Sequence, residues 1–338
     1  MGYNDSIYIR KKIVFLNVFL TILIVVLHAV PLLRFGIGVN REYSFIYSIY
    51  ILCQIAIPLF FFISAYLFYS TCSSYKDAFN KIKRRYYSLF IPYLLWNFIF
   101  TSIYFILSCF PIFYSNMNAG NDSFHSWTDF VFGILDSKFT PLWFVKNLIF
   151  YTLLSPVILF LLRNRILFLI AFVVSIIIYL KCDYKVYDSF WNGLPMYLMG
   201  AYIGYWKICL TKSRFWLLFS CLIIAGTYFL SLYDESYLLS FRLTTPIIIW
   251  FIFDWVLYNY IMTEFHLKKW MGYTFFIYCT HYFILNVIQK IIVKTFDPEI
   301  WVLNLTFILS PFVAIITIIG IANILSKYKL YKILTGGR

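Results

Sequence analysis

The stretch from Ile13 to Val30, IVFLNVFLTILIVVLHAV, has fifteen apolar residues in eighteen. That is nearly enough to cross the hydrocarbon core of a bilayer as one helix. Runs like it recur along the 338 residues. Hydrophobic residues make up 62% of the chain and charged residues only 12%, which excludes an ordinary soluble domain and leaves an all-α polytopic membrane protein. The first run is too long for the apolar region of a signal peptide and lacks a small-residue cleavage site, so it is read as a retained helix.

The three polar residues of that run are not scattered. A helix turns about 100° per residue, so Asn17 and Thr21, eleven and seven residues before His28, fall within roughly 20° of it. Arg10 lies five turns below on the same line, about 27 Å away. A helix that only faces lipid has no use for a polar line ending in an imidazole. Such a histidine either bonds a neighbouring helix or does chemistry.

Spans of about 20 apolar residues are expected at approximately 13–33, 45–70, 86–109, 141–162, 166–181, 190–207, 215–233, 241–262, 271–292 and 300–324. Placing both termini in the cytoplasm puts nineteen of the twenty-eight basic residues in inside segments and ten of the fourteen acids outside. This obeys the positive-inside rule. The net charge of +14 is therefore a topology signal, and no nucleic-acid partner is expected. No repeat or linker divides the chain, so residues 1–338 are read as one domain with a core of about 12–324. The seven cysteines form no CxxC pair and are expected as free thiols, with no metal site. One connection is long, Phe110 to Thr140. Its Trp127 and Phe130 suggest either a re-entrant or interfacial segment over an outward-facing cavity or a solvated loop.

Ionisable residues inside a membrane span mark candidate sites. Three qualify: His28, Asp254 and His281. Thr274, Tyr278 and His281 share one helical face. Asp254 follows the apolar run IIIWFIF and either pairs with a bundle cation or histidine or sits wet near the inner surface. A second cluster, Lys81, Lys83, Arg84 and Arg85, precedes an aromatic helix. It is either a topology anchor for anionic lipid or a surface for a phosphorylated ligand, which arginine forks suit. Pro58, Pro92, Pro141 and Pro195 fall inside or at the starts of spans, as in bundles with an interior cavity. Walker, HExxH, GxSxG and GxGxxG motifs are absent.

Taken together, six segments resemble acyltransferase family 3, integral membrane O-acyltransferases that modify bacterial surface glycans. They are VVLHA, PLFFFISAYLF, KIKRRYYSLFIPYLLW, PLWFVKNLIFYTLLSPVI, LPMYLMGAYIG and FFIYCTHYFI, in the family's order. Two positions depart from the pattern: Asn17 stands where an arginine is common, and Ser64-Ala65 stands for Ser-Gly. The resemblance implies transfer of an acyl group, most often acetyl, from cytoplasmic acetyl-CoA to a carbohydrate hydroxyl at the plasma (inner) membrane. It needs no bound cofactor, and its partners are the lipid bilayer, acyl-CoA and a carbohydrate acceptor. Joined to the residue reading, it puts His28 in the role of base or acyl carrier, with His281 and Asp254 as further catalytic candidates. Asn17, Thr21, Trp143, Lys146 and Tyr278 are assigned to substrate, and Arg10, Lys12, Lys81, Lys83, Arg84 and Arg85 to the acyl-CoA. The rival readings are a transporter or flippase for a lipid-linked or small glycan and a structural partner in a glycan-assembly complex.

Overall fold

Long apolar segments in a medium without water must satisfy their backbone N–H and C=O groups internally, and helices do so within one segment. The computed structural model describes residues 3–337 apart from 33–35, 38, 40, 110–126, 137–140, 182–188 and 209–212, and holds no strand among the described residues. Helix α1 spans Tyr3–His28. The next expected span is broken into α2 (Ser44–Cys53) and α3 (Ala56–Tyr69). Helix α4 (Tyr75–Arg85) continues through a π-helical turn, Tyr86–Phe90, into α5 (Ile91–Ser108). Then come α6 (Trp127–Asp136), α7 (Trp143–Leu153), α8 (Ser155–Arg163), α9 (Arg165–Lys181) and α10 (Leu194–Trp206). The last six are α11 (Arg214–Tyr233), α12 (Leu238–Val256), α13 (Tyr258–Thr263), α14 (Thr274–Thr295), α15 (Ile300–Leu325) and α16 (Lys329–Leu334).

Seven stretches among the described residues are long and apolar enough to cross a bilayer: Ser6–His28, Arg41–Tyr69, Tyr75–Leu107, Arg214–Tyr233, Glu235–Val256, Lys269–Thr295 and Ile300–Leu325. Helices α7 and α8 pass the same test jointly but meet at a 57° bend, which makes eight if the pair is one crossing. The difference from ten lies in α9 and α10. They are 17 and 13 residues long, short of the roughly 20 that a straight crossing needs.

Local chemistry sets the helix boundaries. Ser74 and Asp77 form a capping box: the Asp77 N–H donates to Ser74 Oγ at 3.2 Å and the Ser74 N–H donates to Asp77 Oδ2 at 2.9 Å. The same helix, α4, carries Lys83, Arg84 and Arg85 in its last turn before the π-helical turn. Pro195 occupies the second position of α10, where a missing N–H leaves no bond unmade, and Pro92 lies just past the π-helical turn that joins α4 to α5. Pro195 thus starts its helix rather than kinking it. The five described cysteines, Cys53, Cys72, Cys109, Cys221 and Cys279, are free thiols, and Cys182 and Cys209 lie outside the described residues.

Helices α3 and α10 pack with their backbones in close approach. A Cβ on Gly200 would lie 2.1 Å from the Phe62 carbonyl oxygen, and one on Gly204 would lie 2.7 Å from that of Tyr66. The four-residue spacing of these glycines puts both on one face and lets the backbones touch, the small-xxx-small mode of membrane helices. Gly200→Leu is therefore expected to drive the helices apart. The cost is at least the ~1–3 kcal/mol of ordinary overpacking. The variant should lose its monodisperse peak in detergent, whereas Gly226→Ala, at a position with open space, should keep it. Equal behaviour of the two variants would contradict this packing.

Part of the long connection is ordered as α6, which runs antiparallel along α5. The Trp127 ring lies 6.0 Å from Phe105, Phe130 lies 5.6 Å from Phe105 and 6.4 Å from Phe98, and the Tyr93 hydroxyl donates to the Leu135 carbonyl at 2.6 Å. Residues 110–126 and 137–140 of that connection lie outside the described residues.

Candidate active site

Two histidines 253 positions apart in sequence meet at the end of α1. The His28 and His281 rings are 5.2 Å apart, centre to centre, and tilted by 45°. Tyr282 presents its ring edge-on to His28 at 5.6 Å. Helices α1 and α14 run side by side here, and the Gln289 amide donates to the Ala29 carbonyl at 2.8 Å. That bond fixes the end of α1 one residue past His28.

His281 is fully buried. Its Nδ1 lies 2.7 Å from the Tyr278 carbonyl oxygen and 3.2 Å from that of Ile277. A carbonyl oxygen only accepts, so Nδ1 carries the proton and Nε2 carries the lone pair. Nε2 is buried and makes no hydrogen bond among the described residues. A buried acceptor without a donor costs about 1–3 kcal/mol, a cost consistent with a site kept for a ligand or a proton. On the same face the Tyr278 hydroxyl donates to the Pro141 carbonyl, and its ring lies 5.9 Å from Phe144. The start of α7 is thus tied to the helix of His281, which places the LWF segment beside Tyr278, one turn before His281. Trp143 is half-buried next to this contact. Lys146, one turn on, donates to Asp136 at the end of α6 at 2.6 Å.

Below His28 the polar line is only partly open. The Thr21 hydroxyl turns back onto its own helix and donates to the Asn17 carbonyl at 2.7 Å, while the Asn17 side chain is half-buried. Arg10 is exposed. Lys12 is fully buried and engaged. Its ammonium donates to Asp254 Oδ1 at 2.7 Å and to the Trp250 carbonyl at 2.8 Å, and lies 3.5 Å from the centre of the Trp250 ring. The Tyr8 hydroxyl donates to the same carboxylate oxygen at 2.6 Å. Lys12 and His28 are sixteen residues apart, about 24 Å along the helix, so the structure brings Asp254 to Lys12 and Tyr8 and to neither histidine.

The basic cluster divides in two. Lys83 and Arg84 are exposed. Arg85 instead reaches into α3, where Nη1 donates to Ser64 Oγ at 2.9 Å and Nη2 to the Ser64 carbonyl at 3.3 Å. Its guanidinium lies 5.6 Å from the Phe68 ring centre. Lys81 donates to the Phe68 carbonyl and, at 2.7 Å, to Thr71 Oγ1, closing the end of α3. The Ser64 that stands in the PLFFFISAYLF segment is thus the seat of the arginine that follows it in KIKRRYY.

Sequence reasoning passed over Tyr8, Tyr282, Gln289 and Arg242. Arg242 is 2% exposed within α12, beside Thr245 at 1%. Its position near the start of that helix makes it look like another loop charge. A count of charges between spans carries no signal of burial.

The order and spacing of these segments are those of a known family. The family model of an acyltransferase domain matches residues 13–325. The chain belongs to acyltransferase family 3. No curated protein and no solved structure shows significant similarity to it. The protein is accordingly a multi-pass membrane acyltransferase, and the family match takes in both histidines, the Arg85–Ser64 contact and the Lys12 partner Asp254. Of the described elements, only α16 and the residues around it lie beyond the match, together with the first turns of α1.

Proposed function

We propose that this acyltransferase moves an acetyl group from cytoplasmic acyl-CoA to a hydroxyl of a cell-surface or lipid-linked carbohydrate, with His28 as general base or acyl carrier. The observation that carries the reading is the His28–His281 pair, because a proton or acyl acceptor needs a nitrogen lone pair in a site shielded from water. A thioester is already activated, so a positioned base is the main chemical requirement. In direct transfer the acceptor oxygen attacks the thioester carbonyl, its proton passes to the His28 imidazole, and CoA leaves as the thiolate. In the relay the imidazole nitrogen attacks first, CoA leaves, and the acceptor hydroxyl then takes the acyl group from the ring. His281, with Nδ1 held by carbonyls, keeps its Nε2 lone pair as the second proton acceptor, its ring 5.2 Å from that of His28. Trp143 and Tyr278, and Asn17 and Thr21 along α1, are assigned to the substrate in this reading.

Both termini and the basic turn face the cytoplasm in this reading, where the donor's phosphates are. The exposed Lys83 and Arg84 meet phosphate directly, with Arg10 on the same side of the membrane, while Arg85 and Lys81 shape the turn that presents them. Lys12 is assigned to holding α1 on α12 through Asp254. Labelled acetyl-CoA and a glycan acceptor, supplied to the purified protein in vesicles, should give labelled glycan. Glycan movement across the vesicle without label transfer would instead identify a flippase.

The divided basic turn has a measurable consequence. Arg84→Gln should raise the KM for acetyl-CoA with little change in thermal stability, since its side chain is exposed. Arg85→Gln should raise KM and also lower stability, because Ser64 loses both of its bonds. Charge-assisted bonds are worth about 1.5–3 kcal/mol, so the double variant should lose on the order of tenfold or more in donor affinity. An unchanged donor KM in the inserted double variant would leave the turn as a topology anchor only.

A further inference from the structure

Beyond the family match, the chain after Ser326 folds back onto the helices that carry the proposed donor and acyl-transfer sites. Tyr331 is 4% exposed, Leu334 7% and Thr335 1%, although the segment is rich in lysine. The Tyr331 ring lies 5.4 Å from Phe276 and 6.0 Å from Tyr273, and Phe276 lies 5.6 Å from Trp96. The Trp96 indole N–H donates to the Leu334 carbonyl at 2.9 Å, one of the orphan acceptors at the end of α16. Residues of α5, α14 and α16 therefore close a ring of contacts. Phe276 is two residues before Tyr278 and five before His281.

The helix then ends in a Schellman arrangement. Gly337 N–H donates to the Lys332 carbonyl at 2.7 Å, Gly336 N–H donates to that of Ile333 at 3.2 Å, and Gly336 has φ +65°. This turn sets Gly336 directly against the π-helical turn. A Cβ on Gly336 would lie 2.4 Å from the Ser88 carbonyl oxygen and 2.7 Å from its Cα. The contact works only for glycine, on two separate counts: the left-handed backbone and the absent side chain. Ser88 sits in the middle of Tyr86–Phe90, the turn that immediately follows Arg84 and Arg85. A π turn inserts one residue into a helix and rotates what precedes it, and such turns recur at functional sites.

We propose that the segment from Lys327 to Gly337 is a positioning element of the donor site: by seating Gly336 on Ser88 it holds the π turn and so sets the direction of Arg84 and Arg85. This rests on the acyl-CoA reading of the basic turn. Five forms test it: the unaltered protein, Gly336→Val, Arg85→Gln, a deletion of residues 327–338, and that deletion combined with Arg85→Gln. In Gly336→Val and in the deletion the KM for acetyl-CoA should rise about three- to tenfold, with turnover at saturating donor within about twofold. Amide hydrogen exchange across Tyr86–Phe90 should quicken in both, while exchange in α11, far from the contact, stays the same. The deletion should raise KM no further once Arg85 is already glutamine, because both changes act on one turn.

A purely structural tail would give a different pattern: lower thermal stability and turnover, an unmoved donor KM, and equal losses with either residue at position 85. That pattern, or unchanged exchange at Tyr86–Phe90, overturns the inference. If the unaltered protein transfers acetyl but Gly336→Val leaves its KM in place, the inference alone fails. If the unaltered protein neither binds nor uses acetyl-CoA, the donor reading fails and takes the inference with it.

Discussion

His28→Ala should lower acyl transfer by about 10² to 10⁴, the usual cost of losing a general base, and by more if the imidazole carries the acyl group. Expression, insertion and thermal stability should stay close to those of the parent. His28 closes the aligned line of Asn17 and Thr21 and faces His281 at 5.2 Å. A histidine that merely bonds the next helix would show the reverse, a stability loss of about 0.6 kcal/mol and most of the activity retained. Transfer within a few-fold of the parent rate would remove His28 from the chemistry. His281→Ala, measured alongside, separates two roles for the second ring. As a proton acceptor its loss lowers turnover and shifts the pH profile. As a packing residue in a fully buried position its loss lowers stability and leaves the profile in place.

Asp254→Leu should be the most destabilising single change on the other side of the bundle. Lys12 has no exposed surface, so removal of its carboxylate leaves a buried ammonium beside the Trp250 carbonyl and ring without its counter-charge. Breaking a buried pair from one side costs about 3–5 kcal/mol. The lower figure applies because the Asp254 side chain is 34% exposed and water can reach the gap. Lys12→Met in the same protein should restore most of the loss, since an apolar pair of similar volume removes the stranded charge. Activity should follow stability in both variants. Restored stability without restored transfer in the double variant would instead place Asp254 or Lys12 in the reaction, and a small effect of Asp254→Leu alone would show that the pair is solvated.

Much of the architecture was legible because its causes are local. Whether eighteen residues enter a bilayer depends on those residues, and the run from Ile13 to Val30 forms the greater part of α1, as its composition requires. The capping box at Ser74 and the proline at the start of α10 are equally local. The expected spans at 166–181 and 190–207 were less readable. Helices α9 and α10 fall short of a straight crossing, and α10 is held by its glycine contact with α3 more than by apolar length. The resemblance to acyltransferase family 3 was carried by the six short segments, and the match over residues 13–325 shows the family.

The site divides along the same line. Helical periodicity alone put Asn17, Thr21 and His28 on one face, because residues of one helix share a single phase. It could not say that His281 would face His28, that Lys12 would be neutralised by Asp254, or that Arg85 would seat on Ser64 while Arg84 stayed outside. Each of these joins different helices, and the Lys12–Asp254 bond spans 242 positions of sequence. Which residues meet is set by how two helices slide and rotate against each other, and a one-residue change of phase turns a side chain by about 100°. That phase is fixed by contacts such as Gly200 on Phe62 and Gln289 on Ala29, which act only once the helices are assembled. Sequence therefore determined the helices and the polar face of α1, and tertiary packing decided which charges are neutralised inside the bundle and which remain exposed.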